Sequence, residues 1–136
     1  MGLDMFLYAR KHVSSTPIFS ETTGVTKVVK GGRVANWRKA NQIHNWFVQN
    51  VQDGEDDCEE YYVSREQIAE LLDTCKKVKA NPDLAESLLP PVEGFFFGST
   101  EIDEYYWEDI DLTIKQLEKA MEKFDDKWSY EYSSSW

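Results

Sequence analysis

The sequence predicts an α+β fold: a small, mostly antiparallel sheet packed with about three α-helices, in a single domain over residues 1–136. Three observations carry that expectation. Residues 36–51, 64–80 and 103–126 place apolar side chains at helical spacing. Residues 3–13, with their mix of Phe, Leu, Tyr and Val, and residues 128–132, which alternate strictly, read as strands. At 41% hydrophobic and 14% aromatic, 136 residues can build one core without disulfides or metals.

Residues 3–13 read as a first strand and residues 14–24, rich in Ser, Thr, Pro and Gly, as a loop. A short strand over 25–30 is expected to close at Gly31-Gly32. Asn36 is a good N-cap for a helix with Trp37, Ala40, Ile43, Phe47, Val48 and Val51 on its apolar face. Gly54 lies where a helix stop belongs. A strand around 58–63 leads to Ser64, which forms a capping box with Gln67. Ile68, Leu71, Leu72, Cys75 and Val78 supply the buried stripe of that second helix, which ends at Asn81-Pro82. A helical turn over 82–89 stops at Pro90-Pro91. Phe95-Phe96-Phe97 reads as a central strand. Ser99 or Thr100 would cap the third helix, 103–126, whose face is Tyr106, Ile110, Ile114, Leu117, Met121 and Phe124. Residues 128–132 alternate as a final strand.

The formal net charge of −10 hides an asymmetry. Residues 1–50 hold seven basic and two acidic side chains, a net of +5, and residues 51–136 hold eight basic and 23 acidic ones, a net of −15. The total argues against coating nucleic acid with the whole surface. No apolar run is long enough to span a bilayer, so no membrane partner is expected. Cys58 and Cys75 form no disulfide framework, and neither has a second ligand at zinc spacing. The N-terminus lacks the pattern of a signal peptide. These features fit a reducing cytoplasm.

The chemistry-bearing residues are densest between 37 and 47. Trp37 and His44 fall on or beside the apolar face, while Trp46 falls on the opposite side with Arg38, Lys39 and Gln42 near it. A tryptophan stacks, Arg and Lys hold phosphate, and Asn41 can read a base edge, which together suit a nucleotide-like ligand. Alternatively Trp46 is a second core layer and His44 a hydrogen-bonded core histidine. Phe97, Ser99 and Thr100 lead a strand into a helix N-terminus, where backbone N–H groups can hold an anion. The acids at 53–60 do not match an EF-hand, and no cofactor or metal site is expected. Glu101, Asp103, Glu104, Tyr105 and Glu108 interleave carboxylates with an aromatic ring, a pattern that can imitate a phosphate backbone toward a basic partner.

The opening Met-Gly-Leu-Asp-Met-Phe-Leu-Tyr resembles a family of small bacteriophage and prophage proteins, as do Trp37-Arg38-Lys39-Ala40-Asn41-Gln42-Ile43-His44, Asn50-Val51-Gln52-Asp53-Gly54 and the stretch from Phe95 to Tyr105. That resemblance spans most of the chain and implies an accessory role in the cytoplasm of an infected bacterial host, where such proteins counter host defence. Three expectations follow. The first is a binding protein without turnover that sequesters a small phosphorylated, nucleotide-like signal through Trp37, Arg38, Lys39, Asn41, His44, Trp46, Phe97, Ser99 and Thr100, with the pocket expected at a homo-oligomer interface. The second is an acidic, DNA-mimic-like inhibitor of a basic host protein, docking through Glu101, Asp103, Glu104, Tyr105 and Glu108. The third is a metal-dependent hydrolase using His44 with Asp56, Asp57 or Glu101.

Overall fold

Among the described residues, the helices pack against one face of a four-stranded sheet. The computed structural model describes residues 2–15, 25–94 and 100–136. Its elements are β1 (Asp4–Ser15), β2 (Val25–Arg38), α1 (Asn41–Asn50), β3 (Tyr61–Val63), α2 (Arg65–Ala80), a 3₁₀ turn (Pro82–Leu84), α3 (Ala85–Leu88), α4 (Glu104–Lys123) and β4 (Ser129–Ser135). The four strands form one antiparallel sheet in the order β2-β1-β4-β3. The fold is α+β, with one helix more than expected among the described residues, because the turn before Pro90 closes the short α3.

Period-two alternation sorts β1. Leu3, Met5, Leu7 and Ala9 are buried beneath the helices, while Asp4, Phe6, Tyr8 and Arg10 point the other way and stay half-buried. From β4, Tyr130 and Tyr132 join the covered face, and Ile43, Phe47, Ile68, Leu71, Cys75, Ile110 and Leu117 complete one core cluster from the helices. The Phe47 and Tyr132 rings stack at 3.8 Å with a 6° interplanar angle. Such a pair adds about 0.5–1.5 kcal/mol beyond burial alone.

The expected boundary at Gly31-Gly32 is not a boundary. Strand β2 runs on to Arg38, so Trp37 and Arg38 are strand residues and α1 starts at Asn41 instead of near Asn36. The pairing of β1 with β2 shifts register between Leu7 and Tyr8 and again between Ala9 and Arg10. Gly32 takes φ +95° beside the second shift. The glycines therefore act as bulge residues that turn the strand without ending it. Trp37 still reaches the core, because its register opposite Met5 puts it on the covered face.

Helix α2 begins as its sequence predicts. Ser64 Oγ accepts from the Gln67 N–H at 3.1 Å and the Ser64 N–H donates to Gln67 Oε1 at 2.9 Å. Helix α4 is capped by Asp103, whose Oδ1 accepts from the N–H groups of Tyr105 and Tyr106, and not by Ser99 or Thr100. At its other end, the Arg65 guanidinium donates to the carbonyls of Phe124 at 2.6 Å and Met121 at 3.1 Å, satisfying groups the helix leaves orphaned. The strand expected at 58–63 is confined to Tyr61–Val63, and the final strand runs on to Ser135. The strand expected at Phe95-Phe96-Phe97 lies outside the described residues.

Candidate functional site

A concavity opens where β2 hands over to α1, opposite the start of α4. It encloses about 360 Å³ and is lined by Arg38, Lys39, Asn41, Gln42, Glu101, Asp103, Tyr105, Tyr106, Glu108 and Asp109. That volume falls within the range of about 300–1,000 Å³ typical of small-ligand sites.

Local backbone geometry builds the basic end. Lys39 sits in the left-handed region at φ +58°, with its N–H donating to Leu3 O at 2.7 Å. A non-glycine residue there is strained by about 1–3 kcal/mol, and such strain gathers at functional sites. Ala40 occupies the N-cap position of α1, so no side chain caps that helix, and its first turn holds no acidic residue. A helix start of this kind favours an anion. Arg38 is exposed and lies 3.8 Å from Asp4.

The floor is polar and buried. Asn41 Oδ1 accepts from the Val92 N–H at 3.0 Å. Gln42 Nε2 donates to Tyr106 O at 3.3 Å, and the Tyr106 hydroxyl donates to Leu89 O at 2.8 Å. Burial pushes the Asp109 carboxyl up to about 6; a hydrogen bond from Gln42 opposes this, and Glu108 and Asp103 add to it. Tyr105, at the rim, is 65% exposed.

The structure thus brings together two residue groups that the sequence separates. Arg38, Lys39 and Asn41, expected to bind a ligand, face Glu101, Asp103, Tyr105 and Glu108, expected to bind a partner. Glu104 and Thr100 are exposed close by in the chain. Phe97 and Ser99 lie outside the described residues.

Trp37, His44 and Trp46 go elsewhere. Trp37 is 2% exposed, and its Nε1–H donates to Thr113 Oγ1 at 2.8 Å, tying the sheet to α4. Trp46 is buried edge-on against Phe47, with centroids 5.2 Å apart, and borders Leu88, Leu89 and Pro90. The polar-face position of Trp46 is covered by the chain after α3, which periodicity within α1 cannot reveal. His44 is 1% exposed, and its nitrogens lie 2.6 Å from the Tyr132 hydroxyl and 2.9 Å from Asp56 Oδ1. The Trp136 indole N–H donates to the same Asp56 oxygen at 3.0 Å.

The acidic loop is held by its own side chains. Asp57 accepts from the Glu59 N–H and, at 2.6 Å, from the Tyr61 hydroxyl. That bond lowers the Asp57 pKa and pushes Tyr61 up to about 12. Among the described residues, no group of three or more His, Cys, Asp or Glu gathers to hold a metal ion. No helix among them is long and apolar enough to cross a membrane.

Gln42, Tyr106 and Asp109 also line the cleft; sequence reasoning placed Gln42 near Trp46 and Tyr106 on the core face of the third helix, and assigned none of the three to a site. Asp109 follows Tyr106 by three and precedes Thr113 by four, so helical spacing places it on the inward face of α4. An acid on an inward face was the available signal. Compared with protein-family models, curated proteins and solved structures, the chain matches none.

Proposed function

We propose that the chain is a binding protein without turnover that sequesters a small phosphorylated, nucleotide-like ligand in the cleft between β2 and α4. The phage resemblance would give that sequestration its setting, the silencing of a host defence signal. One observation carries the reading: a cleft of ligand size has a basic, helix-N-terminal end and an aromatic, carboxylate-lined end. Phosphate would sit against Arg38, Lys39 and the first turn of α1. A base would stack on Tyr105, and Asp109 or Glu108 would accept from its N–H groups or from ribose hydroxyls. His44, the residue an acid–base mechanism would use, is engaged by Asp56 and Tyr132 away from this cleft.

Isothermal titration of the full chain with cyclic mononucleotides and cyclic ADP-ribose isomers tests the reading. One member of the set is expected to give saturable heat and to be recovered intact by chromatography. Lys39→Ala and Tyr105→Ala are each expected to weaken it roughly tenfold. No heat and no thermal shift across the set would overturn the proposal. The exposed run Glu104, Tyr105 and Glu108 favours the second reading, an acidic inhibitor docking on a basic host protein. That reading requires association that weakens as salt rises.

A further inference from the structure

The charge asymmetry of the sequence becomes an asymmetry between layers. The four strands together carry six basic residues (Arg10, Lys11, Lys27, Lys30, Arg33 and Arg38) and two acidic ones (Asp4 and Glu131), in a chain of net charge −10. The helices bury the Leu3, Met5, Leu7 and Ala9 face of the sheet. The opposite face carries Asp4, Phe6, Tyr8 and Arg10 from β1, Arg33 and Arg38 from β2, Glu131 from β4 and Tyr62 from β3, with the exposed Asp4 and Arg38 side chains 3.8 Å apart. None of Phe6, Tyr8 and Tyr62 belongs to the core cluster or packs against it, and Tyr62 is 53% exposed.

Rings and guanidinium groups interleave across this face. Arg33 lies over the Phe6 ring at 5.9 Å and Arg10 over the Tyr62 ring at 5.9 Å. Arg10 is also paired with Glu131 at 3.4 Å, so that pair is neutral and Arg33 is the exposed cation near the centre of the platform. Tyr8 lies opposite Arg33 on one side and Glu131 on the other. Phe6 and Tyr8 follow each other by two residues, about 7 Å along one strand. An acidic peptide would use only the cations. A single-stranded nucleic acid would use both sets, because its bases stack on the exposed Tyr62 ring and the half-buried Phe6 and Tyr8 rings while its phosphates meet arginines. A duplex presents no base faces to such a surface.

We infer that the face of the sheet turned away from the described helices binds single-stranded nucleic acid, with bases on Phe6, Tyr8 and Tyr62 and phosphates on Arg33 and Arg38. This site is separate from the cleft except at Arg38, which borders both. It is also compatible with a surface that is acidic elsewhere, since only one layer contributes.

Fluorescence anisotropy of the full chain with a labelled oligo(dT) of about 12 nucleotides tests this, alongside a duplex of the same length. Saturable binding of the single strand is expected, weakening roughly tenfold between about 50 and 200 mM salt, as two or three phosphate contacts require. Tyr62→Ala and Arg33→Glu, both at exposed positions, are each expected to weaken it roughly tenfold, with unchanged thermal unfolding and unchanged titration of the cleft. No anisotropy change up to about 100 μM protein, the scale of weak non-specific binding, would overturn the inference. So would equal affinity for the duplex, or binding that ignores both substitutions. Self-association abolished by Arg33→Glu, without oligonucleotide binding, would assign the face to a second copy of the chain and overturn it too.

Discussion

The imidazole of His44 and the hydroxyl of Tyr132 meet at 2.6 Å in the core, 88 residues apart in sequence. Asp56 Oδ1 approaches the other ring nitrogen at 2.9 Å. A carboxylate only accepts, so Nε2 carries the proton and Nδ1 accepts from the Tyr132 hydroxyl. Burial lowers the His44 pKa from 6.5, against the opposing pull of the Asp56 charge and hydrogen bond. The unfolded chain therefore takes up this proton at higher pH than the folded one. The stability this group contributes is complete above pH 6.5 and is lost as pH falls below it through the folded value. The stability advantage of the wild type over His44→Gln in urea unfolding is expected to shrink between about pH 7 and 5, a window in which Asp109 affects both proteins alike. Equal pH slopes for the two proteins would refute the assignment. Tyr132→Phe, which leaves Nδ1 buried without its donor, should cost about 1–3 kcal/mol at neutral pH.

Asp109 works in the opposite direction. Its folded pKa of about 6 lies above the ordinary 3.8, so its charge costs stability at neutral pH, and the penalty disappears as pH falls toward 3.8. Asp109→Asn removes the charge and can still pair with Gln42. It is expected to stabilise the fold at neutral pH by about 1 kcal/mol, a value reduced for the partial solvent screening of this carboxyl. The gain should vanish below about pH 4, where both states carry the proton. Guanidinium unfolding at the two pH values decides it, and a destabilised variant at neutral pH would contradict the electrostatic account.

Gly31 is required by packing rather than by conformation. A Cβ there would lie 2.7 Å from both Phe124 Cε1 and Trp128 Cζ3. Those two rings already pack against each other with centroids 4.7 Å apart. Gly31→Ala is therefore expected to destabilise the fold by about 1–3 kcal/mol. Phe124→Leu should recover part of that loss in the double variant, because it removes the ring atoms in the way. At Gly32 a Cβ meets nothing within 4 Å, so the cost of Gly32→Ala comes from its φ of +95° and no change at Phe124 should relieve it. Calorimetric melting of the four variants separates the two causes.

Local signals read correctly where the deciding interaction was local. The Ser64–Gln67 capping box, the alternation of β1 and the apolar face of α4 each need only neighbours within one element. Long-range pairing overrode the rest. Gly31-Gly32 looks like a strand end until β1 is placed beside it, and then becomes one bulge inside a longer β2, with a second irregularity at Val34. Trp37 fits a helical wheel from Asn36, but opposite Met5 it reaches the core from a strand instead. Seven of the ten residues lining the candidate cleft were visible as residue types: Arg38, Lys39, Asn41, Glu101, Asp103, Tyr105 and Glu108. Their meeting was not, because it depends on α4 returning against β2, where Gln116 Oε1 accepts from the Asn36 N–H at 3.0 Å.

The left-handed backbone at Lys39 sets stability against binding. Its φ of +58° is strained for a lysine and relaxed for glycine. Lys39→Gly removes the strain while adding freedom to the unfolded chain, which costs about 0.4–1 kcal/mol. The net effect on unfolding is expected between neutral and about 1 kcal/mol stabilising. The same change removes an ammonium group from the basic end of the cleft, so affinity for a phosphorylated ligand should fall roughly tenfold. Lys39→Ala serves as the comparison, since it loses the charge and keeps the strain. The two variants should bind alike and differ in stability, with glycine the more stable. Melting curves and titrations of the pair check both halves at once. A glycine variant less stable than the alanine one would mean that the Lys39 turn is not strained, and undiminished binding in both would remove lysine from the ligand site.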